Sequence, residues 1–338
     1  MNRNRSTLTR RTLGMALAAG AVAALAGCGG GDTAAADNDG GLTPLKISVA
    51  PIHFETAYLA KEKGYFEEEG LDVTITMGAD PASLVAMAVS GEQDIVIGSW
   101  INMAMSASEG VPISVIAGNG IVDPEVSNSG VMVRADSGID SLDDLEGKVI
   151  GVQGVKSGGD IPVLQALEAA GVDIKDVTEV AIPYSGMEAA LEQNTVDAVV
   201  PADSYFHQME KAGYKSIASP VRDYQASMPV TVWSATDIWV AENGDTAEKF
   251  IAAMEKSVAF YSDEANLEEV RAITAEVNNK ELDEVGTSYV PASVPINVAE
   301  AQAGIDAIEH FELVSDPVSV EELLWDGAPR RDSAAAGK

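Results

Sequence analysis

The chain has 338 residues, with 21 Lys and Arg against 53 Asp and Glu, a formal net charge of −32. So acidic a surface repels nucleic acid and anionic lipid unless a local basic patch offsets it, and the one dense basic cluster, Arg3, Arg5, Arg10 and Arg11, lies at the extreme N-terminus. A single cysteine, Cys28, excludes a disulfide framework and any zinc or iron–sulfur site built on several thiolates, while 46% hydrophobic residues is ordinary for a folded protein.

Residues 1–27 run from a basic start through the uncharged stretch 13–26 to small residues before Cys28, the three-part layout of an export signal. The apolar run is shorter than the roughly 18 residues of a membrane span, and no later stretch reaches that length. Leu25-Ala26-Gly27-Cys28 resembles the lipobox of bacterial lipoproteins, which implies an acylated Cys28 as the mature N-terminus; Arg10-Arg11 resembles a twin-arginine signal. Residues 29–41 are small or acidic and cannot build a core, so 28–43 reads as a lipidated cysteine with a flexible tether. Loss of the signal removes four arginines and no acid, moving the charge from −32 to −36.

From Leu45 onwards, short apolar runs alternate with helix-like stretches. Leu45-Lys46-Ile47-Ser48-Val49 alternates as a strand and Pro51 ends it; residues 58–66 read as a helix closed by Gly64, and Leu71-Asp72-Val73-Thr74-Ile75 as a second strand. A helix over 84–89, a turn at Gly91 and the strand Ile95-Val96-Ile97 complete a β-α-β-α-β order, which predicts a mainly parallel, doubly wound sheet. The order then repeats. Ser141 and Asp144 form a potential capping box before the strand Lys148-Val149-Ile150-Gly151-Val152, and helices over 162–170 and 187–192 alternate with strands over 177–182 and 198–200. Gly91-Glu92-Gln93-Asp94 before Ile95 corresponds to Asn194-Thr195-Val196-Asp197 before Ala198, with Gly and Asn both suited to a left-handed turn. Strand-like Val131-Met132-Val133 and Val230-Thr231-Val232-Trp233 flank this second unit and suit paired crossings between two lobes. Beyond them, Phe250, Met254, Val258 and Tyr261 share one helical face, as do Val298, Ala301, Ile305 and Ile308; both stripes read as core.

Residues 45–329 resemble the solute-binding proteins of ABC importers in the nitrate, sulfonate, taurine and thiamine-precursor group. The resemblance is carried by Ala57-Tyr58-Leu59-Ala60-Lys61, Gly64-Tyr65-Phe66, Ser90-Gly91-Glu92-Gln93-Asp94, Gly98-Ser99, the run from Ser141 through Asp144-Leu145-Glu146-Gly147-Lys148 to Gly151, and Val196-Asp197-Ala198. It implies an α/β fold of two doubly wound lobes joined by two crossing segments, of the type II periplasmic-binding-protein kind, closing by a hinge on a solute. On this reading lobe 1 is 44–132 plus 231–328, lobe 2 is 133–230, and 329–338 is a disordered tail. The implied partners are a small-molecule solute and the permease subunits of the importer, with membrane contact through the lipid anchor alone, on the extracytoplasmic side. The protein is expected to be a monomer without cofactor or metal.

In such lobes the loops at the carboxyl ends of the strands converge on the cleft. Lobe 1 offers 51–56, 98–102 and 117–120; lobe 2 offers 153–160, 183–186 and 201–205. Ser157, Gly158 and Gly159 precede a helix and expose backbone N–H groups that suit an oxyanion, a use the resemblance also implies. Trp100 follows a strand end and is expected to wall the ligand, with Phe54, Tyr184 and Trp233 in similar roles, and Ser99 and Asn102 beside it. Glu55 and Asp203 lie in opposed loops and suit an ammonium, a hydroxyl or a ring nitrogen. His53 and His207 are too few for a metal site and read as single hydrogen-bonding residues. Only Lys156 and Arg222 are basic near these loops, so an organic solute, zwitterionic or aromatic with one anionic end, is favoured over nitrate or sulfate.

An enzyme is disfavoured: there is no Gly-x-Ser-x-Gly, phosphate-binding loop, His-Glu-x-x-His or paired Cys. The alternatives are a pyrimidine synthase-like enzyme of the same fold and a surface lipoprotein without a transport role. Replacing Trp100 or Asp203 with Ala is expected to weaken solute binding and leave the fold intact, as a titration calorimeter would register.

Overall fold

Alternation of apolar side chains sets the strands around which both halves are built. The computed structural model describes residues 41–331 apart from 79, 80 and 288, with backbone alone at 81 and 82. The export signal, Cys28 and nearly all of the tether lie outside the described residues, as do 332–338. Strand β1 (Thr43–Val49) turns Leu45, Ile47 and Val49 into the core. It is followed by β2 (Leu71–Met77), β3 (Ile95–Ser99) and β4 (Ile113–Gly118). After a first crossing come β5 (Val131–Val133), β6 (Val149–Val152), β7 (Thr178–Ala181), β8 (Ala198–Val199) and β9 (Lys215–Ala218), and after a second crossing β10 (Thr231–Thr236).

Two five-stranded sheets result, ordered β2-β1-β3-β10-β4 and β7-β6-β8-β5-β9, which is one topology used twice. Each sheet is mixed, not parallel throughout: β10 runs against β3 and β4, and β5 against β8 and β9. Both are the strands that follow a crossing. Thr231, the first residue of β10, pairs with Ser99, the last of β3, so the chain enters at the carboxyl ends of the parallel strands and must run against them. The crossings themselves are paired: Val122 N–H donates to the Met228 carbonyl at 3.0 Å, Ser227 N–H to Val122 at 2.9 Å and Val230 N–H to Gly120 at 2.9 Å.

The repeated Gly/Asn-x-x-Asp stretch has one physical role in both lobes. Gly91 and Asn194 take left-handed backbone, φ +73° and +54°, and end their helices. Three residues later, Asp94 donates its N–H to the Lys46 carbonyl and its carboxylate accepts the Lys46 N–H, while Asp197 makes the same two bonds to Val149. The aspartate thus stitches the third strand of each lobe to the first.

Three boundaries differ from the sequence expectation. All of β5 belongs to the second sheet, so the change of lobe falls before Val131. The helix expected over 58–66 is two, Glu55–Glu62 and Tyr65–Glu68, because Gly64 turns left-handed between them. The expected tail is ordered at its start, where Arg330–Arg331 pair with Ile296–Asn297. Among the described residues no helix is long and apolar enough to cross a membrane.

The larger core lies in lobe 1 and takes residues expected at the ligand. Trp100 is fully buried, and its Nε1–H donates to the Ala301 carbonyl at 2.8 Å. Trp233 is fully buried on β10, with its ring 5.1 Å from that of Phe250. Phe54 is 1% exposed and meets Tyr58 edge-on at 5.9 Å. Trp100 opens the helix Trp100–Ser108, which packs on the helix Val298–His310, so the side chain turns sideways into that interface and away from the cleft. Trp100→Ala should therefore cost about 3–5 kcal/mol of stability, read by urea denaturation, instead of lowering affinity in an intact fold.

Candidate functional site

The carboxyl ends of the strands face one another across the two crossings, and their loops enclose a cavity of about 130 Å³. Its centre is built from the loop after β1. His53 sits there in left-handed backbone, φ +55°, a conformation a non-glycine residue keeps only when its surroundings fix it. Asn119, 1% exposed at the end of β4, donates from Nδ2 to the His53 carbonyl at 2.9 Å and to Thr231 Oγ1 at 3.2 Å, and accepts from Thr56 Oγ1 at 2.7 Å. Thr231 Oγ1 also accepts the Gly120 N–H and lies 3.1 Å from His53 Nδ1. With both lone pairs of that oxygen engaged, its proton points at Nδ1 when the ring is neutral, which then leaves the ring N–H on Nε2.

That Nε2 reaches across the cleft to Asp203 Oδ2 at 3.2 Å. Asp203 opens the helix Asp203–Ala212 in lobe 2, also in left-handed backbone at φ +48°, and its N–H donates to the Asn128 carbonyl on the first crossing at 2.7 Å. Burial opposes a second proton on His53, but the Asp203 charge and hydrogen bond and the Glu55 charge outweigh it and raise its pKa above the ordinary 6.5.

Of the residues expected at the ligand, Ser99, Asn102, Ser157, Gly158, Tyr184 and Asp203 line this cavity. Ser99 Oγ caps its helix through the Asn102 N–H at 3.2 Å. Gly158 crosses to lobe 1 so closely that a Cβ there would run into Ser99 Oγ. Tyr184 stacks on Tyr205, ring centres 5.7 Å apart, and Lys280 lies over the far ring. Glu55 is elsewhere: 7% exposed, it accepts from Thr274 Oγ1 at 3.1 Å in a chamber of about 30 Å³ behind His53, where burial and then the Asp203 charge raise its pKa. Trp100, Trp233 and Phe54 do not line the main cavity, because the lobe 1 core holds them.

The oxyanion loop also differs from expectation. The Lys156 and Ser157 N–H groups both donate to the Asp160 carboxylate, so an internal anion already occupies the turn before the helix Ile161–Ala169. Arg222 lines the cavity but is paired with Asp223 through two nitrogens, at 2.8 and 2.7 Å. Gln225, unremarked in the sequence, donates to the Gly158 carbonyl at 3.1 Å and leaves its buried Oε1 without a partner. The site therefore offers acceptors, Asp203 and Gln225, more readily than uncommitted cationic groups. His207 bonds to Glu210 at 3.0 Å and to Asn128 at 3.2 Å, and among the described residues no group of three His, Cys, Asp or Glu is placed to hold a metal ion.

His53, Asn119, Thr231 and Gln225 escaped the sequence reading as site residues. His53 had a signal, since it lies in a strand-end loop just past Pro51. The others are defined by contacts that exist only once the crossings pair. Because the folded pKa of His53 is raised, its stabilising effect is complete below about 6.5 and is lost as pH rises through the raised value. The melting temperature of the parent minus that of His53→Gln should accordingly shrink from acid to alkaline pH; a difference independent of pH would contradict the pairing.

A family model described as NMT1/THI5 like matches residues 52–265. The formylaminopyrimidine-binding protein of Halalkalibacterium halodurans is 30% identical over 144 residues, 42% of this chain and 42% of its own length. A putative thiamine biosynthesis protein of Haemophilus influenzae is 30% identical over 211 residues, 60% of this chain and 63% of its own, so the matches span less than two thirds of either relative. A 4-amino-5-hydroxymethyl-2-methylpyrimidine phosphate synthase of Aspergillus parasiticus is 25% identical over 217 residues, 60% of this chain and 61% of its own. Among solved structures, the periplasmic aliphatic sulphonate binding protein of Escherichia coli superposes with a TM-score of 0.69 at 18% identity, covering 85% of this chain and 98% of that one. The chain belongs to the NMT1/THI5-like family, and its two lobes have the fold of the type II periplasmic binding proteins.

Proposed function

We propose that this chain is the extracytoplasmic solute-binding component of an ABC importer, and that it captures a small planar nitrogen heterocycle of the aminopyrimidine class between its lobes. The observation that carries the solute class is the Asp203 carboxylate, held across the cleft by His53 in the same cavity as the unpaired Gln225 Oε1. Two fixed acceptors call for N–H donors on the ligand, because a buried acceptor without a donor is costly. Tyr184 supplies an aromatic wall for a flat ring. A sulfonate or nitrate would meet an amide turn already filled by Asp160 and an arginine already paired with Asp223. The relative named for formylaminopyrimidine supports the same choice.

Capture works by hinge closure about the paired crossings, with 44–130 and 231–331 moving against 131–230. A ligand touching Ser99 and Asn102 on one wall and Tyr184 and Asp203 on the other favours the closed form by its differential affinity. The closed form is then what the permease subunits recognise, and acylation of Cys28 keeps the monomer at the membrane. A synthase role is the second reading, because a relative is named as one.

Thermal shift followed by calorimetry with aminopyrimidines, alkanesulfonates, amino-sulfonates, aromatic carboxylates and nitrate tests this. A bound solute at a hundredfold excess over Kd adds about 2.7 kcal/mol of stability. The aminopyrimidines should bind and Asp203→Asn should weaken them about tenfold or more, the worth of one charged hydrogen bond. Tight binding confined to sulfonates or nitrate would overturn the solute class. Mass spectrometry should recover the bound solute unchanged, and a converted product would favour the synthase.

A further inference from the structure

Apart from the His53–Asp203 pair, two carboxyl groups meet inside lobe 2. Asp160 is fully buried at the start of the helix Ile161–Ala169. Glu179 lies on β7 opposite Ile150 of β6, on the sheet face that the same helix covers with Val163 and Leu167. Asp160 Oδ2 accepts the Lys156 N–H, and the Ser157 N–H also donates to the Asp160 carboxylate. The buried oxygens Asp160 Oδ1 and Glu179 Oε1 have no hydrogen-bond partner, and the two carboxyl groups lie close enough for each to act on the other's ionisation.

Two bare carboxylates in that position would repel, and no cation contributes to the ionisation of either. One proton between them turns the repulsion into an O–H···O⁻ bond that satisfies both orphan oxygens. β6 and the helix Ile161–Ala169 carry one titratable residue between them, Glu168, which is engaged with His310. Lys156 is the one charged residue in the adjoining turn, where it takes left-handed backbone at φ +59°. We propose that Glu179 is a positioning residue for the cavity loop 156–159, remaining protonated and donating to Asp160 so that Asp160 stays the internal anion on the Lys156 and Ser157 amides.

Burial, and then the hydrogen bond and charge of Asp160, push the Glu179 carboxyl up to about 9, so it keeps its proton at neutral pH. Asp160 then carries the single negative charge of the pair and holds the turn that brings Ser157 and Gly158 to the cavity wall. The consequence for solute binding rests on the function proposed above; the tie between Glu179 and Asp160 does not.

The full mature protein is compared with Glu179→Gln, which keeps a donor without a titration, and Glu179→Ala, which removes it. Exchange of the Lys156 and Ser157 amides, read by NMR, should match the parent in the Gln variant and speed up about tenfold or more in the Ala variant. The folded pKa is above the unfolded 4.5, so the stabilisation from this proton is complete at low pH and is lost as pH rises towards about 9. The melting temperature of the parent minus that of Glu179→Gln should fall across that interval, a readout that needs only the conservative variant. A flat difference, or unchanged amide exchange in Glu179→Ala, would overturn the tie. With 4-amino-2-methylpyrimidine as the probe, the Gln variant should bind like the parent and the Ala variant more weakly. Equal affinity of both variants would overturn the positioning role. A parent that does not bind the probe would instead count against the proposed function, leaving the exchange and melting results to decide the tie.

Discussion

The antiparallel pairing of the two crossings, residues 120–122 against 227–230, is the constraint on which everything else depends. It sends β10 and β5 into their sheets at the carboxyl ends of the parallel strands, and so turns both sets of strand-end loops towards one space. It also supplies polar groups to the site. Gly120 and Asn119, just before the first crossing, and Thr231, just after the second, hold His53 in its left-handed conformation. The crossings and the cavity residues around His53 are therefore one hydrogen-bonded network.

That network reaches across the cleft. His53 belongs to lobe 1 by chain and packing, yet its ring completes its hydrogen bonding on Asp203 of lobe 2. Further interlobe contacts lie on both sides of the pair, with Gly158 against Ser99 and Lys280 over Tyr205. Opening the lobes would separate a buried imidazole from its carboxylate, which is costly unless water enters. The arrangement of the two lobes thus has an internal reason to persist.

Much of the fold was legible because it rests on local rules. The alternation in Leu45, Ile47 and Val49, the turn residues Gly91 and Asn194, and the aspartates that follow them are properties of short segments, and they recur since each lobe solves the same problem. The site was legible only by loop. Strand-end position located Ser99, Asn102, Tyr184 and Asp203 near the cavity but misjudged Trp100, whose place depends on a helix about two hundred residues away. The same limit applies to Ser157, Gly158 and Gly159: the sequence displays amides available to an anion, and folding supplies Asp160 as that anion from the same turn.

By itself, the sequence determined the two-lobed α/β architecture, the family resemblance and the loops that approach the cleft, because periodicity, turn chemistry and strand order are written within tens of residues. Tertiary structure decided which large aromatics are core and which line the cavity, which charges are already paired, and that His53, Asn119, Thr231 and Gln225 belong to the site. Those outcomes depend on distances between residues far apart in the chain, and a buried polar group's partner is fixed only when the packing around it is complete.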